Sequence, residues 1–210
     1  MIALYEYKAA PVIFEVRGLG EKPGSTNMDT FRATARKGPI LNRWKGGQAN
    51  TDVLIECEGG YVDFDAEAAF DYAGKQIRKF DSAGQRDPQS NFIRAVRSRK
   101  REDIKTDIEE GHLSTCLCHL GNISYRLGAA ARPEAIREAM RGDRDGVEAF
   151  GRFTEHLAVH GIELTRTPAV LGPWLSVDSA AELLTGLHAA EANVLVRREY
   201  RSPFVIPEKV

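Results

Sequence analysis

EEGHLSTCLCHLGNISYRLG, running from Glu109 to Gly128, is the most strongly patterned segment of the chain. Leu113, Cys116, Leu117, Leu120, Ile123 and Leu127 recur at helical spacing and share one face of an α-helix. Glu109 and Glu110 fall in its first turn, where carboxylates suit the positive end of the helix dipole. Gly128 is placed to stop it. The pattern predicts a central scaffold helix with Leu113, Leu117 and Leu120 in the core, and such a helix needs a sheet to lie on.

The segments before it supply one. Ile2 to Tyr7 and Val12 to Arg17 alternate in period two, the signature of paired strands, and Lys-Ala-Ala-Pro between them reads as a hairpin connection. From Gly18 to about Asp52 the chain is polar and glycine-rich, a long loop with a short helix around Asp29 to Ala35. Strands resume at Asp52 to Cys57, Tyr61 to Asp65, Ala68 to Tyr72 and Gln76 to Phe80, joined by short turns, so the expected sheet is a mostly antiparallel meander. Helices follow: Pro88 to Ser98 with Asp87 as its cap, the stretch quoted above, Pro133 to Met140, and Gly146 to His160 with Phe150, Phe153 and Leu157 as its apolar stripe. Beyond Gly161 come a surface turn at Leu171-Gly-Pro-Trp174, a helical stretch from Ser179 to Val194, and an extended end from Tyr200 to Pro207.

Strands first and helices afterwards is the order of an α+β fold, an open antiparallel sheet with helices packed on one face. The whole of 1–210 reads as a single domain. Residues 1–80 form the sheet half with its long loop at 18–52, residues 87–160 the helical layer, and residues 161–210 a C-terminal extension.

Composition bounds the function. The chain has 210 residues, 42% of them hydrophobic and 28% charged, and a net charge of -1. That balance provides no field to draw it onto nucleic acid or an anionic membrane, and no apolar run has the length of a membrane span. No signal segment is visible, so the chain reads as soluble with its compartment open. Three cysteines cannot build a disulfide framework, and Cys116 and Cys118 point to opposite sides of one helix.

Four patterns in the sequence have the outline of chemical motifs. Gly18-Leu-Gly20-Glu-Lys-Pro23-Gly24 follows a strand as a dinucleotide fingerprint would. Proline stands where the third glycine and the helix N-terminus belong, so it reads as a turn. His112, Cys116 and His119, with Cys118 nearby, offer zinc-ligating atoms on one helix, but one ion cannot reach the outer two along a straight axis. Arg94, Arg97, Arg99, Lys100 and Arg101 make a basic run without interleaved aromatics, followed at once by Glu102, Asp103 and Asp107. Such a run complements a helix C-terminus and stays solvated. His156 and His160 are spaced for a metal, but Leu157 replaces the glutamate of the metalloprotease pattern. No catalytic, cofactor-binding or metal residue is assigned; His112, near the helix N-terminus, is the one candidate for a substrate or domain interface.

Three segments carry a family resemblance: Asn91-Phe-Ile-Arg-Ala-Val-Arg-Ser-Arg-Lys100, Asp103-Ile-Lys-Thr-Asp-Ile-Glu-Glu-Gly-His-Leu-Ser114 and Leu117-Cys-His-Leu-Gly-Asn-Ile-Ser-Tyr-Arg-Leu-Gly128. Together with Phe14-Glu-Val-Arg-Gly18, Gly60-Tyr-Val62, Phe150 to Leu157, Leu171-Gly-Pro-Trp-Leu175 and Arg198-Glu-Tyr-Arg-Ser-Pro-Phe204, the wording resembles the C-terminal domain of bacterial Gfo/Idh/MocA-type oxidoreductases. The likeness covers nearly the whole chain except Ser25 to Asp52. It implies the substrate-side and oligomerisation domain of an NAD- or NADP-dependent enzyme acting on a sugar or polyol, or part of an NAD-dependent glycosidase of the same superfamily. The nucleotide-binding Rossmann domain and the catalytic lysine of the family's Glu-Lys-Pro motif lie in a part this sequence does not hold. Glu21-Lys22-Pro23 spells the motif in the wrong domain, and no catalytic role passes to Lys22. The resemblance therefore implies a chain inactive alone, binding no cofactor by itself. It also implies an apolar patch where a Rossmann partner packs, covered by that partner or by homo-oligomerisation. A non-catalytic self-association or docking domain is the alternative.

Overall fold

The computed structural model describes residues 1–16, 18–20, 23–24, 53–64, 66–81, 87–197 and 199–205. The short helix expected at 29–35, and Glu21 and Lys22, lie outside them. The fold is α+β with every strand pair antiparallel. The chain divides into two compact units, Met1–Asp103 with Ala139–Thr167 and Ile104–Glu138 with Pro168–Val210.

In the first unit β1 (Ile2–Tyr5) and β2 (Val12–Glu15) form a hairpin in which Ile2 faces Glu15 and Tyr5 faces Val12. Alternation puts Ile2, Leu4, Ile13 and Glu15 on one face. That face meets a 16-residue helix, Arg144–Val159, where Arg152 ion-pairs with Glu15 and lies 3.4 Å from Glu148, its side chain 14% exposed. Leu4 reaches the helix backbone at Gly146, and Asp143 caps the helix by accepting the Gly146 N–H at 2.8 Å. Within the helix Phe150 is buried, as its stripe predicts, and so is His156, which lies outside that stripe.

The second sheet is the four-stranded meander β3 (Leu54–Cys57), β4 (Gly60–Asp63), β5 (Ala68–Phe70) and β6 (Gln76–Lys79). Tyr61 and Phe70 sit directly opposite one another, their rings stacked 5.4 Å apart, and with Ala68, Leu54 and Ala66 they form its core. The six strands read as one meander are thus two separate sheets. Tight turns bind β3 through β6 into a ladder, and β1 and β2 pair only with each other among the described residues. Helix α1 (Pro88–Ser98) has the expected bounds and the expected Asp87 cap. It buries only Asn91 and Ala95, and the Asn91 amide donates to the Asp103 carbonyl at 2.7 Å.

The second unit is built on α2 (Ile108–Leu127), one residue offset from the predicted helix, with Asp107 as its cap. After it come β7 (Ala129–Ala131) and α3 (Pro133–Ala139), which leads out of the unit to the first unit's helix, Arg144–Val159, here α4. Past α4 lie β8 (Ala169–Leu171), β9 (Ser176–Asp178), β10 (Leu183–Thr185) and α5 (Ala189–Val196). β7 pairs with β8, and β9 with β10. The core is Ile123, Leu184 and Ala192, backed by Leu120, Leu127, Leu175 and Leu195. Leu113, expected in the core, is 54% exposed, and Leu117 is half-buried. The reason is length: α5 has eight residues, roughly 12 Å of helix against about 30 Å for α2, so it covers only the later turns.

Two further expectations are corrected. The helix foreseen over Ser179 to Val194 is interrupted, because β10 occupies its middle and Gly186 takes a left-handed φ of 81° before α5 begins. Leu171-Gly-Pro-Trp174 is more than a surface turn, since Gly172 lies against α2, where a Cβ would stand 2.6 Å from the Ser124 carbonyl oxygen. The Ser124 hydroxyl donates to the Pro173 carbonyl at 2.8 Å and fixes the approach.

Gly172→Ala is expected to lower stability by about 1–3 kcal/mol, because the Ser124 backbone carbonyl as well as its hydroxyl blocks the added carbon; a urea unfolding midpoint unchanged from the parent would contradict that packing. Asn193 supplies a second test. Its side-chain oxygen accepts the Leu184 N–H at 2.9 Å and its amide donates to the Leu184 carbonyl at 2.7 Å, so the side chain stands in for a third strand beside β10. Asn193→Leu strands both backbone groups and should cost about 1–3 kcal/mol, read from the thermal midpoint.

Candidate functional site

His112 stands in the second turn of α2, set there by the Asp107 cap. Its Nε2 lies 2.7 Å from Oε1 of Glu182, 70 residues further along the chain. Glu182 ends the β9–β10 turn in a left-handed conformation, φ 52°, while Asp178 ties the same turn by accepting the Ala180 and Ala181 N–H groups at 3.0 and 3.1 Å. Cys116, one turn on, places Sγ 3.7 Å from His112 Nε2 and 4.0 Å from Nδ1. The structure therefore joins His112 and Cys116 as the helical spacing foresaw and adds a carboxylate no pattern disclosed. His119 and Cys118 are exposed on neighbouring positions of the helix.

This grouping limits its own chemistry. A thiol–imidazole–carboxylate relay needs the thiol on one ring nitrogen and the carboxylate on the other, so that the proton entering one side is balanced by orientation at the other. Here Glu182 takes Nε2, and the thiol's shorter approach is to that same atom. With the carboxylate accepting its hydrogen, Nε2 has no lone pair to receive the thiol proton. The side chains of His112 and Glu182 are 50% and 56% exposed, which makes the pair a solvated surface contact. Among the described residues no group of three or more His, Cys, Asp or Glu side chains is arranged to hold a metal ion.

The remaining sequence candidates lie in the first unit. His156 and His160 contact edge to face, ring centroids 5.1 Å apart, and His160 Nε2 donates to the Gly20 carbonyl at 2.8 Å. That nitrogen is spent on the backbone, and the pair fixes the segment after β2 in place. Pro23 and Gly24 form a turn, with Gly24 at φ 76°. Arg94, Arg97, Arg99 and Lys100 are exposed around the end of α1, where Arg99 turns left-handed at φ 58° and its N–H caps the Ala95 carbonyl at 2.9 Å. At the other end of α1 the Ser90 hydroxyl, then the Ser90 N–H, bond the Asp87 carboxylate and hold its pKa below the usual range. All three cysteines are free thiols. No described helix is long and apolar enough to cross a membrane. No protein-family model, curated protein or solved structure matches the chain.

Because the His112–Glu182 contact is solvated, Glu182→Gln should change stability by no more than about 1 kcal/mol; a larger loss in the thermal midpoint would show that the pair holds the second unit together. The Asp87 cap has a pH signature with a definite sign. A carboxylate whose folded pKa is depressed stabilises the fold fully above its ordinary value near ~3.9, and that stabilisation is lost as the pH falls through the lower folded value. The protection of α1 amides, measured relative to their intrinsic exchange rates, is expected to fall in the parent as the pH drops through the folded Asp87 value, and an Asp87→Asn variant should lack that step.

Proposed function

We propose that the chain is the substrate-side and oligomerisation domain of an NAD(P)-dependent oxidoreductase of the Gfo/Idh/MocA type, acting on a sugar or polyol and inactive without a nucleotide-binding partner domain. One observation carries the reading. The hairpin is apolar on both faces: α4 covers one, while Met1, Val12, Phe14 and Val16 on the other stand 40–47% open, with Ala3 and Tyr5 between them. An antiparallel ribbon that ended in solvent would carry polar residues on its outer face, so this one is shaped to meet another surface.

Two of the segments that carry the resemblance fall where the second unit is packed. In the second unit the Leu117–Gly128 and Leu171–Leu175 segments touch through Gly128, Ser124 and Gly172, and Ile123 and Leu175 share one core. These positions supply a scaffold, which is what a shared ancestry would keep in a domain whose chemistry resides in its partner. The open hairpin face equally favours a second reading, a self-associating or docking domain with no enzymatic parent.

The two readings separate in solution. Sedimentation of the purified chain should give a dimer or larger assembly at micromolar concentration, and Phe14→Glu should shift it to monomer without unfolding it. A strict monomer with the parent sequence would overturn the interface. Calorimetric titration with NADH and NADPH should show no binding to the chain alone; binding, with turnover of any sugar, would overturn the claim that it is inactive by itself. Restoration of dehydrogenase activity on adding a separately expressed Rossmann domain would favour the oxidoreductase reading over the docking one.

A further inference from the structure

We draw no further inference here: the strongest candidate, the open hollow beside Arg94 and Arg97 on α1, is walled among the described residues by that one convex helix, and its two serine hydroxyls already donate to Asp87 and Ala95, so nothing in the structure shows what would occupy it.

Discussion

A two-stranded ribbon has no interior, and three of the four sheets described in this chain are two-stranded. Alone, such a ribbon is marginal in water, so each must be held from outside. Each is held by a different device. The first hairpin leans on α4 through Leu4 and the Arg152 ion pairs. β7 and β8 close onto α2 because Gly128 and Gly172 remove the carbon atoms that would keep the backbones apart. β9 and β10 are finished by Asn193, whose amide completes the edge of β10 with a donor and an acceptor in the places a neighbouring strand would put them. The meander, with four strands, instead gathers Tyr61, Ala68 and Phe70 into a cluster of its own.

These devices explain which parts of the fold were legible in the sequence. Alternating apolar residues and a capped helix are local signals, and the first hairpin, the meander and α1 all follow them. The strands of the second unit do not. Each is three residues long, too short for alternation to show, and Ala129-Ala-Ala131 has the composition of a helix. What makes those residues strands is contact with distant residues, which no window of sequence contains. Gly128 shows the same limit at one position. It ends the helix as expected, but its φ is -76°, open to any residue, and what excludes a side chain there is the Leu171 carbonyl oxygen 2.6 Å from where the Cβ would be.

The candidate site divides in the same manner. His112 and Cys116 were visible because four residues of helix bring them together. Glu182 was not, since its place beside His112 depends on a left-handed turn residue and on the pairing of two three-residue strands. Its arrival alters the chemistry: by occupying Nε2 it turns a thiol–imidazole pair into a solvated surface contact between imidazole and carboxylate. What the structure gives the histidine is a contact between α2 and the β9–β10 turn.

The apolar surface sets a condition on any partner. A large aromatic such as Phe14 presents roughly 150–250 Å² when fully open, and the methionine and two valines beside it present less, so the four at 40–47% exposure offer at most on the order of 300 Å² on the outer hairpin face. A specific stable interface takes about 800 Å² from each side. The ribbon can therefore be the centre of an interface but not the whole of one, and the rest must come from other exposed apolar residues of the first unit. Ile55, Phe64 and Ile77 of the meander, at 45%, 55% and 63% exposed, and Phe92 of α1 at 69% are of the right kind. If the proposed interface draws on several such patches, a large, shaped partner, either another protein domain or a second copy, fits it better than a small ligand. On the proposed reading that is the division of labour to be expected, with binding area on this chain and reacting groups on the domain that joins it.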